Sequence, residues 1–162
     1  MALTIFDLDE TLIAADSDHE WGQYVVDKGL VDAQEHKKKN DDFYEQYKAG
    51  QLDIDEYLQF SCSVLTQHSI EDLNQFRSEF VDQRILPIIL EKARDLVKKH
   101  GEQGDTLLVI TATIEFVSRP IVEEFGIKTL IAPEPEIVSN RYTGRIVGVP
   151  SFAAGKVTRL KQ

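Results

Sequence analysis

The amino-acid sequence predicts an α/β fold: a parallel sheet with a helical insertion after its first strand. Two observations carry this reading. Short β-rich apolar runs alternate with longer stretches of helical texture, the order that builds a parallel sheet. The first two runs also end in polar residues, Asp7-Leu8-Asp9 after residues 3–6 and Thr111-Ala112-Thr113 after residues 106–110. Buried parallel strands that deliver polar groups at their C-terminal ends look like this.

Taken in order, Leu3-Thr4-Ile5-Phe6 is expected to be a buried strand. Residues 17–80 are helical in texture. Trp21, Tyr24 and Val25 fall at i, i+3 and i+4, and Phe43, Tyr47, Leu58 and Leu65 continue the apolar set around a turn at Ala49-Gly50-Gln51. Ser69, ahead of Glu71 and Asp72, is placed to cap a helix carrying Leu73, Phe76 and Phe80. After Pro87, residues 88–99 read as an amphipathic helix, stopped by the turn at 100–105. A second strand (106–110), a helix (115–125) closed by Gly126 and a third strand (129–132) follow. Ile137-Val138 and residues 144–147 are expected to pair as a hairpin across 139–143, and residues 154–162 begin a last helix. The expected division is a discontinuous core of residues 1–15 and 81–162, with residues 16–80 as a helical cap.

The 162 residues suffice for one compact core with a small appended module, and 42% hydrophobic with 28% charged residues is ordinary for a soluble globular protein. A net charge of −10, from 28 acidic against 18 basic residues, disfavours a nucleic-acid partner. The one basic cluster, Lys37-Lys38-Lys39, runs into Asn40-Asp41-Asp42 and reads as a solvated helix face. Cys62 stands alone in an apolar run, so it is expected in the core, and an internal disulfide is impossible. No stretch has the length and apolarity of a membrane span, and no basic region precedes Asp7 as a signal peptide would require. The expectation is a cytoplasmic protein without a membrane partner.

In open parallel sheets ligands bind beyond the C-terminal ends of the strands. Asp7 and Asp9 lie in an extended segment and point to one side, because the side-chain period is two. Two crowded carboxylates repel unless a cation neutralises them, and hard oxygen ligands suit Mg²⁺. One carboxylate could attack phosphorus while the other protonates the leaving alkoxide. Alone, Asp-x-Asp is weak evidence, since surface turns often contain it.

The wider set of motifs is more specific. Phe6-Asp7-Leu8-Asp9-Glu10-Thr11-Leu12 resembles the first motif of haloacid dehalogenase-type phosphatases, D-x-D-x-[TS]-[LV]. Val109-Ile110-Thr111-Ala112-Thr113 resembles their second motif, and Gly155-Lys156-Val157 sits where that family places its phosphate-binding lysine. The resemblance covers essentially the whole chain. It is strongest to the phosphoserine-phosphatase-like branch, subfamily IB, which includes small bacterial hydrolases proposed as phosphoserine or histidinol-phosphate phosphatases. It implies a Rossmann-like core with a C1-type helical cap and a small-molecule phosphate monoester as substrate. By the same resemblance, Asp7 would be the nucleophile that becomes an aspartyl-phosphate and would ligate Mg²⁺. Asp9 would be the general acid and then the base, its main-chain carbonyl a second metal ligand. Thr111, favoured over Thr113 by its strand-end position, would hold the phosphoryl group with nearby N–H groups such as that of Ala112. Lys156 would neutralise charge on Asp7 and the phosphate; its alternative is a solvent-facing helix lysine.

The sequence departs from the family in two places. No acidic pair of the kind that supplies the family's fourth motif follows Lys156 before Gln162, so the expectation is a chain truncated before that motif. Asp16 stands where phosphoserine phosphatases carry a glutamate for the substrate amino group, although an acidic helix N-cap is an equal alternative. Residues 57–63 lack the arginine that would grip a substrate carboxylate, and an unpaired buried carboxylate is costly. Histidinol phosphate is therefore favoured over phosphoserine, with Trp21, Tyr24 and Phe43 available as an aromatic wall or as plain core. A phosphotransferase and a non-catalytic binding module of the same fold are the competing readings.

Overall fold

A computed structural model describes all 162 residues. Three strands, β1 (Leu3–Phe6), β2 (Thr106–Ile110) and β3 (Thr129–Ile131), form a parallel sheet in the order β1-β2-β3. The register sets Phe6 beside Val109 and Ile110 beside Ile131, so the polar residues after β1 and β2 emerge at the same edge. The middle strand is apolar and buried from Leu108 to Ile110. β1 departs from expectation: Phe6 is buried, but Leu3 and Ile5 are exposed, because β1 is an edge strand with one face uncovered.

Four helices separate β1 from the rest of the sheet: α1 (Ser17–Asp27), α2 (Ala33–Lys48), α3 (Ile54–Leu65) and α4 (Ile70–Phe80). Each starts at a side-chain cap, Asp16, Asp32, Asp53 and Ser69 respectively, which accepts an otherwise orphaned N–H of the first turn. The insertion leaves and rejoins the sheet through paired backbone: Ala14 N–H donates to the Ile88 carbonyl at 2.9 Å, and Leu90 N–H to the Leu12 carbonyl at 3.2 Å. That pairing explains why α5 runs over Glu91–Glu102 rather than 88–99. Pro87 lies in a 3₁₀ turn, Leu86–Ile88, and Ile89 is extended toward Ile13.

Trp21 of α1 packs edge-on against Phe80 of α4 and Phe116 of α6 (Glu115–Glu124), joining the helical insertion to the helix that links β2 to β3. Pro120 inside α6 removes the N–H that would bond the Phe116 carbonyl. Arg77 of α4 supplies the missing donor at 3.2 Å and lies over the Phe116 ring. Cys62 is fully buried and burial pushes its thiol up to about 12, so it is an inert core residue. The hairpin is longer and tighter than expected. β4 (Glu134–Val138) pairs with β5 (Arg141–Val147) across Ser139-Asn140 alone, both in the left-handed region with φ of 51° and 60°. α7 (Ala154–Leu160) closes the structure.

Candidate active site

Leu8, fully buried, anchors the segment after β1 and leaves Asp7 and Asp9 on the cavity side. Asp7 is half exposed. Its Oδ1 accepts the Leu8 N–H at 2.9 Å, and its Oδ2 faces Lys156 Nζ at 3.3 Å. Asp9 is enclosed: Oδ1 takes the Ser17 N–H at 2.7 Å and the Ser17 hydroxyl at 2.6 Å, and Oδ2 faces the Thr113 hydroxyl at 2.9 Å. Burial, then the charge of Asp16, raises the Asp9 carboxyl to about 7, against the pull of the Ser17 and Thr113 hydrogen bonds. The hydroxyls agree with this. Ser17 Oγ and Thr113 Oγ1 lie 2.9 Å apart. If both donate to an ionised Asp9, no proton remains for the contact between them. A protonated Asp9 donates to one hydroxyl, and every bond in the ring then has its hydrogen.

Lys156 owes its position to the start of α7. A Cβ on Gly155 would lie 2.0 Å from the Pro150 carbonyl oxygen, so only glycine permits this approach. The preceding loop is tied to β2 by the fully buried Ser151, whose hydroxyl donates to the Thr111 carbonyl at 2.7 Å. Arg159 holds the same loop through the Val149 carbonyl at 3.0 Å.

These residues line a cavity of about 220 Å³. Asp7, Asp9, Asp16 and Asp18 face it with Ala112, Thr113 and Lys156, while Phe43, Tyr44, Tyr47 and Tyr57 form an aromatic side. Trp21 and Tyr24 are core; of the aromatic residues proposed from sequence, Phe43 reaches the wall. Asp16 caps α1, accepting the His19 N–H at 2.9 Å, and also lines the cavity. Thr111 is fully buried, and its hydroxyl accepts the Thr113 N–H at 3.1 Å; it is Thr113 that lines the cavity. His19 stacks on Tyr44 at 4.4 Å between ring centres, and Asn40 bonds its Nδ1 at 3.1 Å and its carbonyl at 3.2 Å. Asn40 fits there because α1 carries Gly22, where a Cβ would meet its side chain at 2.3 Å.

Sequence reasoning missed Ser17 and Ser151 as functional positions, and weighed Thr113 only as a phosphate ligand behind Thr111, not as a partner of Asp9. Each acts on a partner remote in the chain, and no local spacing marks it. No three His, Cys, Asp or Glu side chains converge as a metal cage. The half-exposed Asp7 carboxylate still fits Mg²⁺, which keeps most of its waters and binds through one or two carboxylates with substrate phosphate. The Asp9 carboxylate, fully engaged with Ser17 and Thr113, does not offer itself as a ligand.

A family model for haloacid dehalogenase-like hydrolases matches residues 4–162. The chain belongs to that family. A histidinol-phosphatase of Neisseria meningitidis serogroup C (strain 8013) is 47% identical over 161 residues, covering 99% of this chain and 72% of that protein. Among solved structures, a protein of unknown function from Bordetella pertussis Tohama I superposes with a TM-score of 0.91 at 40% identity, over 98% of this chain and 72% of that one. A substrate-bound phosphoserine phosphatase superposes with a TM-score of 0.63 at 17% identity, over 91% and 62% of the two chains, a likeness of fold. The haloacid dehalogenase-like core and its phosphatase branch, read from the three motifs, are the family relationship found here. No helix is long and apolar enough to cross a membrane.

Proposed function

We propose that the chain is a Mg²⁺-dependent phosphomonoester hydrolase working through an aspartyl-phosphate on Asp7, with histidinol phosphate as its substrate. The observation that carries this is the pairing of two unlike carboxyls: an open Asp7 beside Lys156 and an enclosed Asp9 raised to about 7. An Asp7 oxygen attacks phosphorus, and the Asp9 proton goes to the leaving alkoxide. The resulting Asp9 carboxylate then takes a proton from water, whose oxygen attacks the phosphoryl group, releases phosphate and regenerates Asp7. Lys156 balances charge on Asp7 and the phosphoryl oxygens. The Thr111 N–H is taken by the Ile131 carbonyl, so the Ala112 N–H would be the main-chain donor after β2 that helps to hold them. Mg²⁺, held by the Asp7 carboxylate and the Asp9 main-chain carbonyl, would neutralise charge on the phosphoryl group. Residues 16–80 would act as the cap over the core of residues 1–15 and 81–162.

Three findings support the substrate: the name of the 47% identical relative, the absence of arginine from the cavity lining, and Asp16 within it. A phosphoserine carboxylate would find only Lys156 and His19 as basic partners there. The charge of −10 supports a small-molecule rather than a nucleic-acid partner, and a cytoplasmic site of action is part of the same proposal. The test is inorganic phosphate release from histidinol phosphate, phosphoserine and p-nitrophenyl phosphate, using natural-length protein with Mg²⁺ and the Asp7→Asn variant. Metal-dependent turnover that the variant loses by at least ~10³-fold is expected from removal of a nucleophile. Absence of release from all three by the unaltered protein would overturn the reading.

A further inference from the structure

Asp18 is a buried cavity-lining carboxyl whose chemistry the phosphoryl-transfer site leaves unused. It is 7% exposed, and its Oδ1 has no hydrogen-bond partner. A buried carboxylate left without a partner costs several kcal/mol. The basic groups lining the cavity are already engaged. Lys156 faces Asp7 at 3.3 Å. His19 is stacked on Tyr44, with Nδ1 bonded to Asn40 and Nε2 3.9 Å from Asp41. Asp16 adds negative charge beside Asp18, but one of its oxygens is committed to capping α1.

We propose that Asp18 is a specificity-determining residue, its carboxyl receiving the cationic nitrogen of an amine-bearing phosphomonoester in the cavity. This deepens the phosphatase reading and rests on it for the phosphate end of the ligand. Burial, then the charge of Asp16, raises the Asp18 carboxyl well above the ordinary carboxylate range, with Tyr57, which also lines the cavity, pulling the other way, so a cation bound there would favour the charged form. The aromatic side, including Tyr44 and Tyr47, completes a site of the kind that holds organic cations, a carboxylate with π-faces around it. A bound cation would stabilise the charged form of Asp18 that burial and Asp16 disfavour in the empty cavity.

The test compares Asp18→Asn with the unaltered protein. The ratio of kcat/KM for histidinol phosphate to that for p-nitrophenyl phosphate, which carries no cation, is expected to fall by on the order of 10²-fold through KM. An unchanged ratio overturns the proposal, whether both rates fall together or neither does. A second readout is calorimetric binding of histidinol, the amino alcohol without phosphate. Binding that Asp18→Asn loses supports the site, and no binding by the unaltered protein overturns it. The outcomes also separate the two readings. Failure to hydrolyse any phosphomonoester sinks the phosphatase reading while calorimetry still judges Asp18. Hydrolysis of p-nitrophenyl phosphate without any preference for the amine sinks the Asp18 site alone.

Discussion

Burial sets the protonation of the inner carboxyls, and with it the pH at which the fold is most stable. Asp9, Asp16 and Asp18 are all raised above the ordinary carboxylate range, in each case first by burial. A carboxyl raised in the folded state contributes stability that is full below its unfolded value near 3.8 and is lost as pH climbs through the folded value, about 7 for Asp9. His36 opposes this trend, because burial and Lys39 lower it, but only below its ordinary value of 6.5. The clean window is therefore pH 6.5 to 8. Thermal melts are expected to show falling stability across it, with Asp9 alone accounting for about 1 kcal/mol. Asp18→Asn replaces a buried carboxyl, whose charged form burial and Asp16 disfavour, by a neutral amide and should raise stability at pH 8 by about 1–3 kcal/mol while losing amine selectivity. A melt in which that variant is less stable would show that Asp18 has a partner in the folded protein. Sequence could single out Asp7, Asp9 and Lys156, since short spacings and residue type mark them. It could not find Ser17, or pair it with Thr113 96 positions away, because the signal that joins them is the carboxyl they share.

At the scale of elements, helices with their own caps were readable and the joins between elements were not. Ser69 and the turn near Gly50 announce α4 and the end of α2 through local chemistry. The start of α5 was misplaced because residues 88–90 pair with residues 12–14, a tertiary contact that outweighs amphipathic spacing. The sequence suggests a five-residue turn, 139–143, where the structure has Ser139-Asn140 alone; neither is glycine, but Asn tolerates the left-handed region and a two-residue turn matches strand twist. The first turn of α7 shows how an element positions chemistry. Gly155→Ala would set a methyl against the Pro150 carbonyl, a rigid backbone atom, so the loop or α7 must move. The expected cost is about 1–3 kcal/mol in denaturant unfolding. Phosphate release should fall by on the order of 10²-fold, the typical effect of displacing a positioning group by about 1 Å. A fall no larger than the population unfolded would show that Lys156 keeps its place without the glycine.

Across the whole molecule, the charge of −10 and the acidic cavity make different claims that one experiment separates. Long-range repulsion among surface carboxylates responds to any salt, because screening within a Debye length of about 8–10 Å needs no site. The cavity is specific: Asp7, Asp9, Asp16 and Asp18 line it with Lys156 within about 220 Å³, and burial disfavours the charged forms of the inner three, a cost that a divalent ion relieves far better than sodium does. Thermal melts at matched ionic strength should therefore show an excess stabilisation by Mg²⁺ over NaCl. At about 100-fold above its dissociation constant the excess is about 2.7 kcal/mol, a shift of roughly 5–10 °C for a chain of this size. A chelator should reverse it. Asp7→Asn should keep the response to NaCl and lose the Mg²⁺ excess, since Asp7 is the half-exposed carboxylate among those that line the cavity. If the variant keeps the excess, Mg²⁺ binds elsewhere on the acidic surface, and the metal's place beside Asp7 fails even where turnover depends on the metal.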